Sequence, residues 1–141
     1  MNVLVTGAAG RLGSCVCRLL DELGMTFTAV DCVSDVEAAY SVKIVDLLDW
    51  EACEELLKEI DVLIHFASNT KWDSDSPQDV LKENTSMDMN LFQAAANSGC
   101  SRIIFSSSIN CFIRGEGKLV KFILLNLSSP ASCKTLVLRS W

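Results

Sequence analysis

One histidine, one tyrosine and two prolines are all that this chain holds of those types, and no apolar run reaches the roughly 18 residues needed to span a bilayer. With His65 as the sole imidazole, a Cys/His metal site has little to draw on. The seven cysteines (15, 17, 32, 53, 100, 111 and 133) are odd in number and show no paired ligand spacing, so no metal is expected. Reduced thiols of a cytoplasmic protein are the plain reading. No charged leader precedes an apolar segment before the chain enters its first strand, which predicts no secretory signal. Positive charge is scarce as well. Residues 1–100 hold 17 acidic against 6 basic side chains, an imbalance that argues against nucleic acid as a partner. Residues 101–141 reverse it, with 1 acidic against 6 basic. An anion-binding patch and a tail of different origin explain that reversal equally well.

What is present begins with a glycine loop. Residues 3–6 form a short apolar strand that runs into Gly7, Gly10 and Gly13, and a helical pattern starts at once. Gly7 permits the tight turn, Gly10 lets a pyrophosphate approach bare backbone, and Gly13 lets the helix pack against the strand. The helix N-terminus adds free N–H groups and a partial positive charge. The next apolar run, residues 25–31, ends on Asp31, where a carboxylate accepts hydrogen bonds from ribose hydroxyls. That charge would repel a 2′-phosphate, so NAD is favoured over NADP, although Arg11 in the loop pulls weakly the other way. The duller alternative is a βαβ unit whose glycines serve only the turn.

Alternation continues down the chain. Leu12, Val16, Leu19 and Leu20 recur on one helical face, with Gly24 placed to cap the end. A third strand is expected over residues 42–46, then a helix capped by Asp49 with Trp50, Cys53, Leu57 and Ile60 on one face. Residues 61–66 read as a strand covered on both sides. Ser76 and Pro77 open a long helix that Gly99 closes, and a fifth strand is expected over residues 102–107. Five alternations predict an α/β fold with a Rossmann-type doubly wound parallel sheet, truncated after about the fifth strand. At 141 residues the chain can bury about two-thirds of its unfolded surface, enough for a core.

These residues resemble the N-terminal half of the extended short-chain dehydrogenase/reductase family, which includes NAD-dependent epimerases and dehydratases of sugars and nucleotide sugars. Residues 6–13 match its T-G-x-x-G-x-x-G signature, bringing Gly7, Gly10, Arg11, Leu12 and Gly13 to the cofactor. Asp46 and Leu47 resemble its adenine-contacting pair, and His65-Phe66-Ala67-Ser68 resembles its H-x-A-[AGS] segment beside the cofactor. Asn84, six residues before the run that starts at Asn90, mirrors the family's helix, whose usual Gly-Thr is replaced by Met87 and Asp88. Ser106, Ser107 and Ser108 fall where its fifth strand ends, which makes Ser107 or Ser108 the implied catalytic serine. The resemblance covers residues 1–112 and implies an NAD-binding domain there, with 113–141 a divergent or truncated tail lacking a complete substrate domain. It implies hydride transfer on a sugar or nucleotide-sugar substrate, and loosely a nucleotide-sugar epimerase or uronate-type dehydrogenase. Residues 77–98 are a candidate homodimer surface, a pattern that a core-facing amphipathic helix also explains.

Duller readings stand beside several of these. His65 on an apolar strand reads first as a satisfied structural histidine, and mid-helix Asn84 divides evenly between a solvated residue and a buried hydrogen-bonding one. Lys71 and Trp72 read as surface residues, Asp73 and Asp75 as solvated loop charges.

Family catalysis also needs a tyrosine whose phenolate moves the hydroxyl proton, with a lysine four positions on to lower its pKa. The only tyrosine is Tyr40, ahead of the third strand and on the adenine side, with Lys43 three residues later. Residues 128–134 faintly resemble Y-x-x-S-K, with Lys134 in register and Pro130, which has no proton to give, at the tyrosine position. Beyond Cys111 the pattern is lost: residues 119–127 could be a strand or short buried helix, and residues 135–139 a last strand. The alternatives to an active enzyme are therefore a catalytically incompetent NAD-binding fragment and a dinucleotide-sensing protein.

Overall fold

A computed structural model describes residues 1–34, 38–70, 76–106 and 134–138, with Pro77 and the last five in backbone only. Among the described residues, six strands and three helices follow in the order β1 (Val3–Thr6), α1 (Arg11–Glu22), β2 (Phe27–Asp31), β3 (Val42–Ile44), α2 (Trp50–Leu56), β4 (Val62–His65), α3 (Pro77–Ser98), β5 (Arg102–Ser106) and β6 (Lys134–Leu138). All strand pairs are parallel, and the sheet runs β3-β2-β1-β4-β5-β6. The order reverses between β1 and β4, so the chain leaves these strands in opposite directions and opens a crevice at their carboxyl ends.

Side-chain alternation along β1 divides the core. Val3 and Val5 face Cys17 and Leu20 of α1, together with Ala29, Val62 and Ile64. Leu4 faces the other way, into Val30, Leu57, Leu63, Leu91 and Ala95 beneath α2 and α3. Each fully buried leucine contributes about 1.5–3 kcal/mol by leaving water. Both faces are covered, and β4 is buried along its whole length.

Several expected boundaries differ. The strand expected over 42–46 ends at Ile44. That expected over 102–107 is described as far as Ser106, and Ser107 lies outside the described residues. The helix after Asp49 stops at Leu56, so Leu57 caps it and Ile60 follows it. The expected face of α1 also needs correction. Gly13, Cys17 and Leu20 are its buried residues, whereas Leu12 and Leu19 are each 53% exposed. The close approach at Gly13 decides this, because it rolls the helix onto its smallest residue. Cys15 and Cys17 do face apart, one exposed and one buried. Among the described residues, no helix is long and apolar enough to cross a membrane.

Candidate functional site

A cavity of about 730 Å³ occupies the crevice at the carboxyl ends of β1, β2 and β4. The glycine loop forms one wall. Gly7 turns the chain out of β1 at φ +70°, in the left-handed region that favours glycine, and a Cβ there would sit 2.6 Å from the Ala67 amide nitrogen. A Cβ at Gly13 would overlap the Gly7 carbonyl oxygen and stand 2.6 Å from its carbon. Loop, helix and the segment after β4 are thus packed backbone on backbone. Gly10 then serves as N-cap of α1, with no side chain to bond the first turn and no acidic residue within it. The N–H groups of a first helical turn have no partner inside the helix, so this end is open to an anion.

Asp31 closes the adjoining wall. One carboxylate oxygen accepts from the Ala9 amide at 2.9 Å, and the other from Cys32 and Val33 at 2.8 and 3.3 Å. The carboxylate therefore fixes the glycine loop to the end of β2 and stands at the cavity. Beside it, Cys32 has its thiol pushed above the ordinary value by partial desolvation and then by the Asp31 carboxylate, which makes it a poor nucleophile. Asp46 accepts from the Leu48 amide at 2.9 Å, shaping the turn that presents Leu47 and Leu48 to the cavity. Asn90 of α3 holds the same turn by donating to the Leu47 and Leu48 carbonyls, both at 3.1 Å.

The floor is the segment after β4, residues 66–70. Asn84 holds it by pairing with the backbone of Asn69 in both directions. Its side-chain oxygen accepts from the Asn69 amide at 2.6 Å, and its side-chain nitrogen donates to the Asn69 carbonyl at 3.0 Å. Glu83 accepts from the Asn69 side chain at 2.7 Å.

The family model for the NAD dependent epimerase/dehydratase family matches residues 3–121. The chain belongs to that family. UDP-glucose 4-epimerase 3 of Oryza sativa subsp. japonica is 31% identical, in an alignment covering 99% of this chain and 43% of the rice protein. The crystal structure of a UDP-glucose 4-epimerase from Stenotrophomonas maltophila, with bound NAD and formylated UDP-arabinopyranose, is 31% identical and covers 78% of this chain and 38% of its own, at a TM-score of 0.68. The uronate dehydrogenase of Agrobacterium tumefaciens is 25% identical, covering 76% and 40% at a TM-score of 0.62. The chain spans between 33% and 43% of the length of the curated relatives it matches.

Within this family frame, the cavity brings together Gly7, Gly10, Arg11, Leu12, Gly13, Asp31, Asp46, Leu47, Phe66, Ala67 and Ser68. Asn84 stands one layer back, gripping Asn69. Ser107 and Ser108 lie outside the described residues, as do Lys71, Trp72, Asp73 and Asp75. Tyr40 packs edge-on against Phe27 and donates to the Ala8 carbonyl at 3.2 Å, bracing the glycine loop from behind. Sequence reasoning missed Asn69, Glu83 and Asn90 as supports of the cavity, and it missed the tie between Asp31 and Ala9. Only the polar type of residues 83 and 84 in mid-helix hinted at any of them.

Proposed function

We propose that this chain binds NAD in the crevice between β1 and β4, with residues 1–112 as the binding domain. The carrying observation is the loop from Gly7 to Gly13, where two glycines leave no room for a Cβ and the open end of α1 faces the cavity. The first-turn amides of α1 receive the diphosphate, and Asp31 the adenosine ribose hydroxyls. Leu47 and Leu48 offer apolar surface to the adenine. Asp31 favours NAD over NADP by repelling a 2′-phosphate. When bound, the dinucleotide supplies a hydride acceptor, and the substrate class in the whole protein is a sugar or nucleotide sugar. Relatives that include UDP-glucose 4-epimerases and a structure holding a UDP-sugar support that class.

Tyr40 favours a second reading, binding without turnover by this polypeptide. The one tyrosine of the chain is engaged with the Ala8 carbonyl on the far side of the loop, so it cannot move a substrate proton. Titration of the purified chain with NADH, followed by nucleotide fluorescence, tests both readings. Saturable binding is expected, tighter for NADH than for NADPH, with no turnover of UDP-glucose or a uronate. Absence of binding would refute the cradle, and steady turnover would refute the second reading.

A further inference from the structure

His65 is the single histidine of the chain and is fully buried, yet nothing in the proposed binding uses it. Both its ring nitrogens have partners. Nε2 lies 2.9 Å from Asp88 Oδ1 on α3, and Nδ1 lies 2.6 Å from Thr6 Oγ1, its register partner on β1. Thr6 is itself fully buried, and its hydroxyl oxygen also accepts from the Ala67 amide at 3.4 Å. The ring is gripped between Phe92 at 5.9 Å and Phe105 at 5.5 Å, centroid to centroid, so it has little freedom to swing away.

Donor accounting gives this line of contacts a direction. An ionised carboxylate only accepts, so Nε2 carries a hydrogen and donates it to Asp88. In the neutral ring Nδ1 then offers only a lone pair, and Thr6 must donate to it. Having given its one hydrogen, the Thr6 oxygen still has lone pairs to accept the Ala67 N–H. All three bonds run the same way, from Ala67 to Thr6 to His65 to Asp88. If the ring tautomer reversed, Nε2 and the Asp88 carboxylate would meet as two acceptors. The line ends at the cavity. Its last atom, the Ala67 nitrogen, is the one that stands 2.6 Å from where a Gly7 Cβ would be.

We propose that Asp88, His65 and Thr6 are positioning residues for the dinucleotide site: a one-way hydrogen-bond chain, polarised by Asp88, that holds Ala67 against Gly7 and so sets the floor of the diphosphate cradle. The proposal rests on the NAD-binding reading. A histidine that merely fills the core would accept either tautomer and would leave ligand affinity untouched.

Having a single histidine makes the test clean, because a nitrogen-15-labelled chain gives one imidazole signature by NMR. A neutral ring with hydrogen on Nε2 is expected, and a ring protonated on Nδ1 or on both nitrogens overturns the proposal. Thr6→Ser keeps the hydroxyl and should bind NADH within about twofold of the parent, whereas the isosteric Thr6→Val should bind about tenfold more weakly, as the loss of one buried hydrogen bond implies. Should Thr6→Val fail to fold, Asp88→Asn, at a partly exposed position, keeps the shape and removes the charge. It should admit a mixture of tautomers and weaken NADH binding about threefold. Parent-like affinity in folded Thr6→Val, or in Asp88→Asn where Thr6→Val does not fold, overturns the positioning role while leaving NAD binding intact. A parent chain that ignores NADH overturns both, and is told apart by the parent titration alone.

Discussion

The N-termini of α1 and α2 solve the same problem in opposite ways. Each begins a helix after a strand, and each leaves first-turn N–H groups without partners inside the helix. At α2 the chain answers with its own side chain: Asp49 Oδ1 accepts from the Glu51 and Ala52 amides at 2.9 and 3.2 Å, and Glu51 adds negative charge to the first turn. At α1 the N-cap is Gly10, without a capping side chain or an acidic residue in the first turn. A self-capped end is a stability device, while an end left open onto a cavity is a place for an anion from outside. The site is therefore marked as much by the missing cap as by the glycines.

Substitutions can break this contrast. The largest effect is expected from Gly13→Ala, whose Cβ would overlap the Gly7 carbonyl and has only backbone to push against. It should cost about 3 kcal/mol or more, read as a lowered midpoint in urea unfolding, and an unchanged midpoint would show that the loop yields. Gly10→Val acts on the ligand instead. A Cβ there meets only the Gly7 carbonyl oxygen at 3.2 Å, so the fold should survive while the side chain occupies the diphosphate position. Loss of two charge-assisted hydrogen bonds predicts about 100-fold weaker NADH binding with the melting temperature held within about 3 °C. Parent-like affinity would place the anion elsewhere.

The two helices also share a feature that alkali should expose. Cys17 of α1 and Cys53 of α2 are fully buried, and burial pushes each thiol up to about 11. In the unfolded chain both ionise nearer the ordinary thiol value of 9.0, so unfolding releases protons between these values. Stability is therefore level below pH 9 and declines as the pH rises towards 11. Melting curves across that range check the slope, and Cys17→Ala with Cys53→Ala should flatten it. The smallest effect is expected at the α2 cap. Asp49→Ala should lower stability by about 1 kcal/mol and leave NADH affinity unchanged, and a loss of affinity would mean that the two helix ends are coupled.

The fold was more legible than its contacts. The parallel strands, the limits of α3 between Pro77 and Gly99, and the Asp49 cap all follow from neighbours in the chain, where periodicity and capping act. The expected fivefold alternation, by contrast, breaks between β2 and β3, where no helix stands among the described residues. The face of α1 was misjudged because hydrophobicity favoured Leu12 and Leu19. Backbone contact at Gly13 outweighs them, since a helix that must touch a strand lies on its smallest residue. Likewise, the residue types of the cavity wall were readable as a set, but not the tie of Asp31 to Ala9 or the grip of Asn84 on Asn69.

Local sequence alone determined the glycine turn, the carboxylate ending the second strand and the order of elements, because each depends on residues a few positions apart. Tertiary structure decided the rest. It placed Thr6 beside His65 across 59 residues and His65 beside Asp88 across 23. Such pairs form only once parallel strands are in register and a helix is laid over them, a geometry that no local pattern encodes.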